Sequence, residues 1–491
     1  MKHLPPSLHR KTRLFLIGLL CIPFLCSCGT QKGTDHVYTA EDNLYVISRN
    51  GEHAVLNTKG EFVLPWQKEQ LNILRDQRTQ EPKAIQSVRT VPMEGAEMIE
   101  DYGYWDTTSY IALYDTEGKL LFDYEKERYF SAPIGDYISL HYRNEPSQFF
   151  SLSTMETALT YTDSMNVLGE YLVFQDYQNN TSKIYDQELN LVKELPGYMV
   201  SRAFKMNEGT DQEGYVYVVY DKQYHYGLLD NDFNLLLPCE YGWVDKITGH
   251  YALVENLDKS NGMNEYAIDL NTGEIVFQCG TNIHYYDGNI YMNSLFINGS
   301  WQWDFINIHH PEQNKIYKNV SYPSEYRYNS NKTPKYFVCE EENGQYTILD
   351  SEGNLIKTLD LAGDWLSLKE DYMIMNSWDG TAPAAIYTQA GKIPLEKPYS
   401  FIHDFYDQAP GTKTYLRAQY MTPQQQYLTD ILDLEGNIIV EGIYGGVITN
   451  FEAEYCDGYR ILCRKGFDQG LMDMEGNWLY KESIFNTFSN D

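Results

Sequence analysis

Three features of the sequence point to an all-β chain built from repeated four-stranded units. A turn of the form Asp-x-x-Gly, followed by Lys, Asn or Glu, recurs with apolar β-forming residues on both sides. The turns return with a mean period of about 42 residues, inside the range of repeat architectures. Tyrosine is abundant, 43 in 491 residues, and long periodic helical patterns are missing. Tyr suits strands because its ring packs on a pleated surface while its hydroxyl reaches water or a partner.

The N-terminus comes first. Lys2, Arg10, Lys11 and Arg13 form a basic segment without an acid, and residues 14–25 form an apolar run. That run is too short to span roughly 30 Å of hydrocarbon as a helix. Leu25-Cys26-Ser27-Cys28 follows. It resembles the lipobox of bacterial lipoproteins, although Cys26 is an unusual occupant two positions before the cut. The resemblance implies a signal peptide over residues 1–27, a diacylglycerol on the thiol of Cys28, and a lipidated tether over 28–43. Two acyl chains hold a protein firmly to a bilayer, so the body is expected on the extracytoplasmic face of a cell membrane. A signal peptide cut nearby without lipidation is the alternative, and an uncleaved anchor is the third.

The repeat region is expected over residues 44–488, as one body or two subdomains. Its clear turns pair Asn57 with Gly60, Asp115 with Gly118, Asp269 with Gly273, Asp350 with Gly353, Asp433 with Gly436 and Asp473 with Gly476. A copy over 385–395 is similar. Asp or Asn at the first position accepts hydrogen bonds from amides inside the turn, and Gly at the fourth supplies a positive φ. Two copies depart from this pattern: after Asp186 and Asp230, Leu189 and Phe233 stand where Gly is expected. Asn190 and Asn234 are the expected left-handed residues there, since Asn tolerates that conformation best after Gly. Weaker copies occupy 149–161 and 305–317. Alternating segments such as 250–256, 371–377 and 414–420 lie between the hairpins, giving each unit four short strands. The one helical candidate, residues 66–77, is read as an insertion or a cap.

Residues 225–241, "HYGLLDNDFNLLLPCEY", resemble the WG repeat of many bacterial proteins. Tyr226-Gly227 stands for that family's aromatic-Gly pair, Asp230 opens the turn, and Pro238 with Tyr241 closes the unit. The last copy keeps Gly470, Asp473 and Gly476. The resemblance implies a β-repeat protein of non-enzymatic role. Ten or eleven units of four antiparallel strands favour a β-propeller-like body, one large or two smaller, with an open hairpin solenoid of WG type as the alternative.

Charge and motifs narrow the function. A net charge of −31 argues against nucleic acid as a partner. Cleavage before Cys28 would remove Lys2, Arg10, Lys11 and Arg13 and no acid. Cys239, Cys279, Cys339, Cys456 and Cys463 form no tight C-x-x-C, so strand thiols are expected, with a Cys456–Cys463 pair as the other reading. No nucleophile elbow, zincin, phosphate-loop or dinucleotide pattern occurs. His309-His310 reads as a surface turn. His403-Asp404 cannot easily form a dyad, because neighbours on a strand point to opposite faces. The turn carboxylates offer too few oxygens for calcium. No catalytic residue, metal or cofactor is expected. Aromatic and acidic residues mix at 101–106, 284–291, 300–305 and 401–408, where rings suit stacking on sugars or peptides, or simply fill the core. The expectation is a membrane-anchored scaffold for a protein or glycan. The alternative is an extracellular hydrolase or lyase with a site assembled from several repeats.

Overall fold

The structure is a computed structural model that describes residues 43–483 except 50, 94–97, 100–102, 105–106, 127, 143–144, 163, 207–212, 281–282, 324–332, 360–364, 378–381, 389–390, 406–412, 426, 444–454, 457–458 and 466–467. The signal segment, Cys28 and nearly all of the tether lie outside the described residues. Within them the chain is all-β, apart from single 3₁₀ turns at Lys259–Asn261 and Pro311–Gln313.

Among the described residues eleven antiparallel units follow one another along the chain, each a meander in sequence order. Sheet 1 spans residues 44–67 with three strands, which correspond to the second, third and fourth strands of the other units. Sheets 2 to 4 span 70–126, 128–161 and 164–196, and a small hairpin of Met98–Ile99 with Gly103–Tyr104 interrupts sheet 2. Sheets 5 and 6 share a strand and so form one seven-stranded sheet. The first half of Leu235–Thr248 pairs with Tyr226–Leu229 to close sheet 5, and its second half pairs with Tyr251–Asn256 to open sheet 6. Sheets 7 to 11 span 283–317, 319–359, 365–392, 401–443 and 455–483.

Each sheet is apolar on both faces and buries them against its neighbours. Val55 and Leu64 of sheet 1 meet Leu71 and Ile85 of sheet 2. Tyr285, Phe305 and Tyr317 of sheet 7 pack on Val320, Phe337 and Cys339 of sheet 8. Eleven such clusters join the eleven sheets, and one of them unites the two ends: Tyr45, Ile47, Ala54 and Leu56 of sheet 1 pack on Leu471 of sheet 11. An open row would leave the outer faces of its first and last sheets without each other. The body is therefore a closed, propeller-like ring. Arg49 crosses the seam to Glu482 at 2.9 Å, the Arg460 Nε donates to the Thr58 carbonyl at 3.1 Å, and the Phe62 and Tyr480 rings meet edge to face at 5.3 Å.

The fourth strands form the exposed rim, with Leu120, Leu191, Ile275 and Leu355 open to solvent. Pro65, Pro196 and Pro238 lie on these edge strands, where no ladder partner needs their missing N–H. Lys126, Lys193, Lys357 and Lys481 sit on the same edges and discourage pairing with another chain.

Two expectations are corrected. Residues 66–77 are not helical; they end the strand Phe62–Gln67 and form the strand Gln70–Arg75. Leu71 and Ile73 pack toward sheet 1 while Leu74 packs toward sheet 3, so apolar contact on both faces masks the alternation. At the two atypical turns the left-handed residues are Leu189 (φ 63°) and Phe233 (φ 60°), not the asparagines. Packing outweighs the strain there. The Phe233 ring is buried 5.0 Å from that of Tyr171 on sheet 4, and Leu189 packs beside Phe149 and Phe174.

Candidate binding site

The ring has two chemically distinct ends. At one lie the turns between third and fourth strands. Asp115 Oδ1 accepts the amides of Glu117 and Lys119, and Asp230, Asp350 and Asp433 do the same for residues two and four further on. Asn57 and Asp473 accept the amides of Glu61 and Asn477, and Asp269 that of Asn271. The following Asn adds a side-chain clamp, as in Asn437 to Asp433 and Asn477 to Asp473, both at 3.0 Å. Glu117, Glu188, Asp232, Glu352, Glu435 and Glu475 all fill the third turn position, so this end is acidic. Burial alone would raise the Asp433 carboxyl, but hydrogen bonds from Asn437 and Lys413 hold it at about 2. Leu44, close to where the described chain begins, pairs with Asn57 and so lies at this end.

At the opposite end lie the turns between second and third strands, and here aromatic rings are exposed. In sheet 5 Asp221 Oδ1 accepts the amides of Gln223 at 2.8 Å and His225 at 3.0 Å, fixing a turn with Tyr224 at φ 60°. The Tyr224 ring is 69% exposed and stacks on Tyr220 at 5.6 Å and 12°. Tyr220 meets Tyr226 at 5.5 Å, and Tyr226 meets Trp243 at 4.7 Å. The Arg202 guanidinium lies 4.6 Å from the Trp243 ring and donates to the Val244 carbonyl. Burial raises the phenols of Tyr220 and Tyr226, keeping both as neutral donors, and lowers the Arg202 pKa against the opposing charge of Asp245. Tyr177 of sheet 4 is exposed on the same end. Beside this ladder is an open cleft of about 370 Å³ lined by Pro196, Tyr198, Asp221, Pro238, Cys239 and Glu240. Burial, then the Asp221 charge, pushes the Cys239 thiol to about 11, so it stays protonated.

The aromatic-Gly pair acquires a reason. A Cβ on Gly227 would lie 2.6 Å from the Leu237 carbonyl oxygen, so only Gly lets the fourth strand cross so closely at Pro238. The neighbouring Tyr226 is then held in the ladder.

The other sequence candidates disperse. Tyr285, Tyr286 and Tyr291 of 284–291 are core residues, and Asp287 accepts the amides of Asn289 and Ile290 and the Tyr285 hydroxyl. In 300–305, Trp301 (65% exposed) pairs with Phe296 on a projecting hairpin, whereas Trp303 packs on His284. In 401–408, Phe401 and His403 meet Trp365, while Asp404 accepts the Tyr372 hydroxyl at 2.7 Å; residues 406–408 lie outside the described part. So do 101–102 and 105–106 of the first cluster. The amides of His309 and His310 bond to Asn307 in a turn. Cys463 is buried between sheets 10 and 11, and the side chain of Cys456 lies outside the described residues. Tyr220, Tyr224, Trp243 and Arg202 belong to no sequence motif. Tyr220 and Tyr224 have one signal, nearness to Tyr226-Gly227 in the sequence; Arg202 and Trp243 have none.

The geometry defines a closed ring of antiparallel sheets with an aromatic surface at one end, the class of β-propeller-like repeat proteins. A family model described as "Domain of unknown function (DUF5046)" matches residues 369–491. No curated protein matches the chain. Among solved structures it is similar to the C-terminal WD40 domain of Sif2, with a TM-score of 0.27 and 11% identity over 62% of this chain and 91% of that one. It is also similar to BamB from Moraxella catarrhalis (0.23, 12%, 59% and 93%) and to the computationally designed Ika8 protein (0.27, 11%, 56% and 84%).

Proposed function

We propose that this chain is a lipid-anchored extracytoplasmic scaffold whose ring binds a protein or glycan and carries out no chemistry. The observation that carries the reading is the exposed aromatic ladder on the end opposite to Leu44. A tether running from Cys28 to residue 43 would enter the acidic end and present the aromatic end outward. Two acyl chains would hold this arrangement at the bilayer. Replacing the acceptor thiol tests the anchor. Cys28→Ser is expected to abolish fatty-acid labelling and to release the chain from the membrane fraction; unchanged labelling would overturn the anchored reading.

One observation favours a hydrolase instead. Ser131 Oγ lies 2.7 Å from His141 Nε2, and His141 Nδ1 lies 2.8 Å from Ser147 Oγ. Burial lowers the His141 pKa to about 4, which keeps the ring neutral at pH 7 but opposes the imidazolium that taking the Ser131 proton would form, so the Ser–His geometry alone favours this reading. Labelling of Ser131 by a fluorophosphonate would support this second reading, and an unlabelled serine would remove it.

A further inference from the structure

We propose that the ladder Tyr224–Tyr220–Tyr226–Trp243 is the platform for an uncharged glycan chain. The proposal rests on the scaffold reading and names its ligand class and surface.

The rings offer outward faces that are already supported from behind. Tyr224, the more exposed of its pair, lies flat on Tyr220, and the half-buried Arg202 lies against Trp243. Rings held in this way lose little freedom on binding. Asp245, which bulges from the strand between Val244 and Lys246, is exposed as Trp243 is. The phenol hydroxyls and this carboxylate can donate to and accept from sugar hydroxyls while the C–H faces of the sugars cover the rings.

Spacing separates a glycan from the other ligand of aromatic tracks, a proline-rich peptide. A polyproline II helix repeats its contact face every three residues, about 9 Å, and docks into slots between rings. Here successive rings stand 5.6, 5.5 and 4.7 Å apart at interplanar angles of 12°, 42° and 63°, too close for slots of that repeat, and the exposed faces are those of Tyr224 and Trp243. Separate faces held at different angles suit the C–H faces of sugars in a twisted chain. Charge selects further. A chain with net charge −31 repels polyanionic polysaccharides, so the glycan is a neutral one.

The full chain, purified in a detergent without a sugar headgroup, is screened on an array of neutral and acidic oligosaccharides, with decaproline as the peptide arm. Calorimetry on the hits follows for wild type, Tyr224→Ala, Trp243→Ala, Trp243→Phe and Trp301→Ala. Neutral oligosaccharides are expected to bind. Their affinity should fall about tenfold or more in Tyr224→Ala and Trp243→Ala, while Trp243→Phe and Trp301→Ala keep it. Tyr224 is solvent-exposed, so its variant tests the site without risk to folding. Binding that ignores Tyr224→Ala overturns the site, preference for decaproline overturns the ligand class, and binding to none of the neutral glycans overturns the proposal. Cleavage of a bound oligosaccharide would instead overturn the non-enzymatic reading and leave the platform standing.

Discussion

The turn glycine serves two purposes that look like one in the sequence. Its positive φ permits the turn, but its missing side chain also admits the neighbouring sheet. A Cβ on Gly118 would lie 2.4 Å from the Val63 carbonyl oxygen, and one on Gly60 would lie 2.6 Å from that of Leu479. Gly273 has the same kind of φ, 74°, with nothing within 4 Å. Substituting Ala at Gly118 and Gly273 separates the two demands. Gly273→Ala should cost about 1 kcal/mol in denaturant titration, the strain of a left-handed Ala. Gly118→Ala should cost clearly more, since backbone must move; equal losses would show that φ alone matters. Where the turn carries Phe233, the side chain packs into the sheet beside it, which no local rule announces.

Among the strands, most are legible because their chemistry is local. Asp-x-x-Gly turns flanked by β-formers mark hairpins wherever they occur. Two are not. The strand Gln70–Arg75 packs on both faces, which erases the period of two, and the single strand Leu235–Thr248 serves two sheets. Sheet 10 also contains a tie that only folding assembles. The buried Asp430 accepts the Tyr399 hydroxyl, the Lys397 ammonium and the Gly442 amide, each at 2.8 Å, and Lys397 also bonds to Glu441 at 2.7 Å. Burial works against the Lys397 charge, but the bonds to Asp430 and Glu441 outweigh it and raise its pKa. Asp430→Ala takes the acceptor from three donors at once and should cost about 3 kcal/mol. Asp430→Asn, which keeps an acceptor, should cost less. An Ala variant as stable as wild type in urea would remove the tie from the account.

For the molecule as a whole, closure is the decisive fact. Residues 1–27 and the acidic, repeating body set expectations for location and architecture, and the candidate clusters offer aromatic surfaces without ranking them. The fold sorts them: Phe296 and Trp301 are exposed at the same end as Tyr224, whereas Tyr285, Tyr286 and Tyr291 are buried between sheets. If sheets 1 and 11 meet, the double variant Phe62→Cys with Tyr480→Cys should be joined within one chain by a short bis-maleimide. The product is read as a mobility on denaturing gels that neither single variant shows. An open row holds those positions far apart and would give no such product.

Hairpins, their repetition and the all-β class follow from the order of residues alone, because turn capping, positive φ and strand patterning act between residues a few positions apart. Closure of the row, the side chain that fills an atypical turn, and the meeting of Tyr224, Tyr220, Tyr226 and Trp243 on one surface follow from packing instead. Those outcomes depend on faces buried between sheets, and on partners as remote as Arg49 and Glu482, 433 positions apart. A single repeat contains no record of its neighbour's face, so no reading confined to the repeat could supply them.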